Sequence, residues 1–395
     1  MYPDFKHTYA DVDEALYEEC EPETMPDPQT IRVNQDLAKR LGFDPEWLGS
    51  MDGAEFAVGN QIVDGSAPIA TAYAGDQFGQ FQPRLGDGRA HLLGEVVDKN
   101  GQRVDIQLKG SGRTPFSRRG DGRAPLGPVL REYVVSEAMH ALGIPTTRSL
   151  TAARTGETVR RRRGSEPGAV LVRVAKSHIR VGTFQYLAAR GDIDALRELT
   201  IYTMERHDPD RDSKDPVELF DAVVDRQASL IADWQLIGFI HGVMNTDNTL
   251  LSGETIDYGP CAFINEYDPT TVYSSIDRQG RYAFQNQPTI ARWNLRRFAG
   301  ALTTLAGDES DLKSELEAIA GDFINRFESA YDDGVAKKLG LDELSSEDGS
   351  LVDDFFSLLK EHELDFTLAF RRLSERACPE AVQGPRRVGK WFSFI

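Results

Sequence analysis

The sequence predicts an α+β chain of two lobes, a small lobe of mixed β structure and a larger helical one, on three observations. Glycine-punctuated segments of strand character run from about Ala90 to Ala175, where apolar and polar residues alternate or short apolar runs are bounded by turns. From Gly182 onward the apolar positions recur at helical spacing, over 182–189, 192–205 and 216–239. Beyond those helices stand a polar turn at Asp247 and Asn248, a short apolar strand, and then Asp257 before Tyr258-Gly259. Asn248 and Asp257 flank a tight hairpin, and their oxygen atoms can converge on one hard cation. A divalent metal bound to nucleotide phosphates suits such a pair, because Mg²⁺ takes oxygen ligands and keeps substrate phosphates in its shell.

The chain has 395 residues, 40% of them hydrophobic, enough for a core divided over two lobes. Three segments are expected: an extension over 1–60 packed on the body, a small lobe over 61–181 and a helical lobe over 182–395. A formal net charge of −18 and a pI near 4.9 repel nucleic acid and anionic membrane over most of the surface, so neither is expected as a partner. No segment reaches eighteen uninterrupted apolar residues, and the first ten residues lack the pattern of a leader peptide. A soluble, cytoplasmic monomer is the expectation. Cys20, Cys261 and Cys378 are too widely spaced for a zinc ribbon or a disulfide framework and read as reduced structural thiols.

Taken in order, the glycine-rich stretch 75–89 leads through Gly86-Asp87-Gly88-Arg89 into an apolar strand over 90–97. Gly86 and Gly88 let backbone N–H groups approach an anion and Arg89 adds charge; the same Gly-Asp-Gly also serves as a plain hairpin turn. The next strand, 104–109, ends on Lys109. A polar loop from Thr114 to Pro125 carries Arg118, Arg119 and Arg123 with Asp121 and Gly122, either a phosphate contact or a surface loop. A helix then runs from Pro128 to Gly143, with a buried stripe of Val129, Leu130, Tyr133, Val134, Ala138, Met139 and Leu142. On it, Glu132 is the natural partner for Lys109. Strands over 148–152 and 169–175 follow, and the run from Arg160 to Arg163 between them reads as a solvated edge strand. Arg173 and Arg180 frame the lobe junction, from where they can point into a cleft. His207-Asp208 ends a helix in an acidic loop and is given no catalytic role.

Lys109, Glu132, Asn248 and Asp257 together resemble a protein kinase, in which a strand lysine grips phosphates, a helix glutamate orients it, and an asparagine and a later aspartate hold metal. One departure is decisive. A kinase places its catalytic aspartate five residues before that asparagine, and here the position is Val243. Asp247 is the nearest carboxylate that can replace it. His241 stands where a kinase has its catalytic-loop histidine and reads as structural.

The motifs Gly86-Asp-Gly-Arg89, Leu108-Lys-Gly-Ser-Gly-Arg-Thr-Pro-Phe-Ser-Arg-Arg-Gly-Asp-Gly-Arg-Ala124, Ser177-His-Ile-Arg-Val-Gly182, His241-Gly-Val-Met-Asn-Thr-Asp-Asn248 and Ile256-Asp-Tyr-Gly-Pro-Cys261 resemble the selenoprotein O family, from about residue 2 to at least 300. That resemblance implies a kinase-like bilobal fold and transfer of AMP from ATP to protein hydroxyls. It implies that Gly86, Gly88, Arg89, Lys109, Asp121, Gly122, Arg173 and Arg180 contact ATP and that Glu132 orients Lys109. Asn248 and Asp257 would hold Mg²⁺ or Mn²⁺, and Asp247 would be the general base. ATP would lie reversed relative to a kinase, its γ-phosphate among basic side chains and its α-phosphate facing a Ser, Thr or Tyr of the protein substrate. Family members usually continue further and carry a cysteine or selenocysteine near the C-terminus, whereas Cys378 is the last thiol here. Val272-Tyr273-Ser274 occupies the neighbourhood of their activation-loop cysteine, so a regulatory disulfide is not expected. Two other readings stay open, a conventional Ser/Thr kinase and a nucleotide-binding scaffold without catalysis.

Overall fold

The structure is a computed structural model that describes residues 2–161, 164–306, 311–345 and 348–376; Arg162, Arg163 and Cys378 lie outside them. Strands β1 (Tyr17–Glu19) and β2 (Gln29–Val33) precede three short helices, α1 (Gln35–Leu41), α2 (Pro45–Gly49) and α3 (Met51–Val58). Then come β3 (Ile69–Thr71), the hairpin of β4 (Gly75–Gln77) and β5 (Gln80–Gln82), β6 (Ala90–Val97), β7 (Arg103–Lys109) and β8 (Ala124–Pro125). Helix α4 (Leu126–Ala141) and the long hairpin of β9 (Arg148–Arg161) and β10 (Gly164–Ala175) complete the small lobe. Its sheet runs β1-β3-β6-β7-β10-β9-β2, with β8 on β10, and its ladders are antiparallel. A parallel bridge between Thr146 and Thr255 ties it to the large lobe.

The period-two alternation of strands decides what the sheet offers on each face. Val104, Ile106 and Leu108 of β7, with Val170, Val172 and Val174 of β10, pack against Leu37, Leu41, Phe56 and Val58 of the short helices. That leaves Asp105, Gln107 and Lys109, and Arg173 of β10, for the opposite face. Arg173 is the ladder partner of Gln107.

Helix α4 corrects the sequence reading. It begins at Leu126, and its buried residues are Val129, Glu132, Ser136 and Met139. Leu130, Val134 and Leu142 are exposed, Val134 by 64%. The helix lies on the polar face of the sheet, so it turns a glutamate and a serine inward and leaves several aliphatic side chains in solvent.

The large lobe is built from α5 (Val181–Arg190), α6 (Ile193–His207), α7 (Pro216–Leu236), the pair β11 (Phe239–Ile240) and β12 (Ala262–Phe263), α8 (Gln287–Leu302), α9 (Leu312–Leu339), α10 (Gly349–Glu361) and α11 (Phe366–Arg376). Asp215 caps α7 by accepting the Val217 N–H at 2.8 Å, with Pro216 in the first turn. The helix stops before the predicted residue 239, because Gly238 takes φ 70° and Phe239–Ile240 pairs with Ala262–Phe263. The rings of Phe184 and Phe220 meet Phe298 at 5.0 and 5.7 Å, joining α5, α7 and α8 in one core. Among the described residues no helix is long and apolar enough to cross a membrane.

Candidate active site

A cleft of about 760 Å³ opens where the polar face of the sheet meets the turn at Asp247. Its small-lobe wall includes Gly86, Gly88, Arg89, Lys109, Glu132 and Arg173, its rim Asp121 and Gly122, and its floor Arg180, Asp247, Asn248 and Asp257. Every position put forward from the sequence therefore lines one cavity.

At its centre three cations converge on a single carboxylate. Lys109, the last residue of β7, donates to Glu132 Oε2 of α4 at 2.6 Å and also to Asp257 Oδ1. Arg173 Nη1 donates to the same Asp257 oxygen at 2.7 Å and lies 3.3 Å from Glu132 Oε1. Arg180, the residue before α5, lies 3.6 Å from Asp257 Oδ2, donates to the Asp247 carbonyl at 2.8 Å, and stacks over the Tyr73 ring at 4.3 Å. Burial alone would raise the Asp257 carboxyl, yet Lys109, Arg173 and Arg180 hold it well below the usual carboxylate range. Asp257 also takes φ 62°, a conformation uncommon outside glycine and concentrated at functional sites.

Asp247 sits in a single 3₁₀ turn, Thr246–Asn248. Burial pushes its carboxyl up to about 6, against the pull of Arg180 and of Gln77, whose Nε2 donates to Asp247 Oδ2 at 3.3 Å. Asn248 Nδ2 donates to the Val243 carbonyl at 3.0 Å, which leaves its amide oxygen available to a cation. His241 is structural: its Nε2 meets the Ile256 carbonyl at 2.8 Å, its Nδ1 accepts the Val243 N–H at 3.3 Å, and its ring stacks on Trp234. His207 is likewise bound within the fold, to Ser177 at 2.8 Å.

The donor set suits Mg²⁺ or Mn²⁺ held jointly with phosphates. The Asp257 carboxylate and the Asn248 amide oxygen both line the cleft, and such ions are bound through one or two carboxylates plus substrate oxygens. Among the described residues no cluster of three or more His, Cys, Asp or Glu could hold a metal by itself.

Along the cleft, Gly86 and Gly122 take φ 64° and 68°. A Cβ on Gly86 would lie 2.2 Å from the Phe116 ring, and one on Gly122 would lie 2.1 Å from the Gly112 backbone. Both glycines are thus required by the path of the chain, whatever their backbones offer an anion. Asp121 is half exposed and paired with Arg161 at 2.7 Å. Arg160 and Arg161 lie where β9 outruns β2, an edge as the sequence suggests, but Arg161 belongs to the cleft lining.

Sequence reasoning missed the hydrogen-bond network behind the arginines. Buried Asp87 accepts from Thr71 Oγ1 at 2.7 Å, the Tyr73 hydroxyl at 3.1 Å and Gln107 Nε2 at 2.9 Å, with Arg180 Nη2 at 3.4 Å. Gln107 Oε1 in turn accepts from Arg173 Nε at 3.1 Å and Nη2 at 2.6 Å. Asp87 was visible only as the middle of a Gly-Asp-Gly turn.

Comparison with known proteins identifies the family. The model of the family described as "Protein adenylyltransferase SelO" matches residues 2–389. Proteins named protein nucleotidyltransferase YdiU are similar along almost the whole chain. The one from Rhodopseudomonas palustris (strain HaA2) is 56% identical over 387 residues, 97% of this chain and 78% of its own. That from Methylorubrum extorquens (strain PA1) is 56% identical over 388 residues, 98% of this chain and 76% of its own. The one from Bradyrhizobium sp. (strain BTAi1 / ATCC BAA-1182) is 57% identical over 376 residues, covering 94% and 76%. Among solved structures, a Toxoplasma gondii rhoptry antigen kinase domain aligns at 10% identity with a TM-score of 0.31, over 72% of this chain and 91% of its own. The chain belongs to the SelO family of protein adenylyltransferases.

Proposed function

We propose that the chain transfers AMP from ATP to Ser, Thr or Tyr hydroxyls of other proteins and releases pyrophosphate. The observation that carries this reading is the convergence of Lys109, Arg173 and Arg180 on Asp257 in a cleft that Asp247 also lines. Lys109, held by Glu132, grips the triphosphate together with the two arginines. Gly86, Gly88, Arg89, Asp121 and Gly122 line its path. In this reading Asn248 and Asp257 hold Mg²⁺ or Mn²⁺. The metal, when bound, neutralises phosphate charge and orients the phosphate oxygens.

The acceptor hydroxyl forms a bond to the α-phosphorus while the bond from that phosphorus to the bridging oxygen of the β-phosphate breaks, and the hydroxyl proton passes to Asp247. Most of the acceleration comes from positioning and charge stabilisation; a general base adds a factor on the order of 10²–10⁴. Val243, where a kinase needs its base, argues against γ-phosphoryl transfer. The intact set of Lys109, Glu132, Asp247, Asn248 and Asp257 argues against a scaffold that has lost catalysis. The reading takes 61–181 as the lobe that grips nucleotide, with 1–60 packed on it, and 182–395 as the lobe that presents the base, in a cytoplasmic monomer.

Incubation with ATP labelled at the α- or the γ-phosphate tests the reaction. Label from the α-position on protein is the expected result. Label from the γ-position would mean a kinase, and none from either a scaffold. Asp257→Ala should abolish labelling through loss of the metal-binding carboxylate.

A further inference from the structure

The hairpin of β4 and β5 lies far from Asp247 in sequence and touches it in space. Its turn, Phe78 and Gly79, has positive φ at both positions, 51° and 82°, the geometry of a tight two-residue hairpin. For a bulky residue such as Phe78 this conformation is strained, and it persists only where the surroundings impose it. Here the Phe78 N–H donates to Asn245 Oδ1 at 3.1 Å and its ring meets Tyr282 at 5.1 Å. Two residues earlier in the same hairpin, the Asp76 N–H donates to Thr246 Oγ1 at 2.7 Å. The Asp76 carboxylate accepts from Gln185 at 2.6 Å and Arg297 at 3.0 Å, fastening the arm to α5 and α8. Three consecutive residues of the turn, Asn245, Thr246 and Asp247, are therefore each engaged by consecutive residues of the hairpin.

The contact with Asp247 is the most specific of these. Gln77 lines the cleft, and its amide is the one polar side-chain group among the described residues that meets the Asp247 carboxylate. Oδ1 is buried without a hydrogen-bond partner, and a Cβ on Gly75 would lie 2.4 Å from it. Arg180 binds the Asp247 backbone carbonyl and so does not orient the carboxylate plane.

We propose that the β4–β5 hairpin is part of the transfer machinery, with Gln77 the positioning residue that orients the Asp247 carboxylate toward the acceptor hydroxyl and Gly75 the space that permits that orientation. The proposal rests on Asp247 being the group that receives the acceptor proton. A misplacement of about 1 Å in such a group costs on the order of 10²-fold in rate.

The test compares Gln77→Ala, Gly75→Ala and Asp247→Asn in the full chain. AMP transfer is followed from α-labelled ATP to a synthetic mixture of Ser, Thr and Tyr peptides, and nucleotide affinity is measured separately with a fluorescent ATP analogue. The expected result is that Asp247→Asn abolishes transfer while Gln77→Ala lowers kcat by roughly 10- to 100-fold and leaves nucleotide affinity within about twofold. Gly75→Ala, which displaces the carboxylate by contact instead of by a lost hydrogen bond, should show the same split. If Asp247→Asn is inactive but Gln77→Ala keeps wild-type kcat, the positioning role is wrong and the reading of Asp247 stands. A parallel fall in nucleotide affinity and kcat on Gln77→Ala would mark a merely structural hairpin and equally overturn it. Wild-type transfer by Asp247→Asn would remove the base assignment itself.

Discussion

Asp257 keeps its negative charge in a half-buried site because three cations surround it, and the same logic, inverted, applies to Glu254 a few residues earlier. Glu254 is buried and accepts the Lys176 N–H at 2.8 Å and the Ser252 hydroxyl at 2.9 Å, but burial pushes its carboxyl up to about 7, with Lys176 pulling the other way. The folded state therefore holds a proton that the unfolded chain releases near its ordinary carboxylate value. Stability from this group falls as pH rises from about 4.5 to 7, and above that range the full penalty, on the order of 3 kcal/mol, is present. Glu254→Gln should raise the melting temperature at pH 8 and leave it nearly unchanged at pH 4.5, as thermal unfolding at the two pH values will show. An equal shift at both would contradict it. At this scale the charged centre was legible in the sequence, since Lys109, Glu132, Asn248 and Asp257 sit in recognisable local settings. Asp87, Gln107 and Gln77 were not, because their partners come from distant segments and an uncharged amide leaves no spacing to read.

Helix α4 and the β4–β5 hairpin show where elements escape a sequence reading. The existence of α4 follows from its composition, but its inward face does not: a stripe of aliphatic residues predicts burial of Val134 and Leu130, and the sheet beneath α4 presents Lys109 and Arg173, which call instead for Glu132. Two substitutions separate these pictures. Val134→Lys should change stability by less than about 0.5 kcal/mol, as at other exposed sites, whereas Met139→Ala should cost about 2–5 kcal/mol, as buried truncations do; denaturant unfolding measures both. A large loss at Val134 would restore the aliphatic stripe as the packed face. The hairpin was legible only as glycine-rich sequence, since what fixes its role is contact with a turn on the other lobe.

Across the whole molecule, the division into a β lobe and a helical lobe was legible from the change of hydrophobic period near residue 182, because period is a property of the chain itself. How the lobes are fastened was not. Arg206 of α6 reaches into the sheet, donating to Glu95 Oε2 at 2.6 Å and Asp105 Oδ1 at 2.5 Å, and to the Lys176 carbonyl at 2.6 Å. All three side chains are buried. Arg206→Met should deprive two buried carboxylates of their shared buried cation at a cost of about 3–5 kcal/mol and lower the melting temperature by several degrees. Adding Glu95→Gln and Asp105→Asn should recover part of that loss. The central claim, that the cleft holds the triphosphate with its α-phosphate toward the base, is tested most directly by a crystal structure of the full chain with a non-hydrolysable ATP analogue and Mn²⁺. The account predicts the α-phosphate nearest Asp247 and the γ-phosphate farthest from it, among the basic side chains of the cleft. A γ-phosphate facing Asp247, or a nucleotide bound away from Lys109 and Asp257, would contradict it.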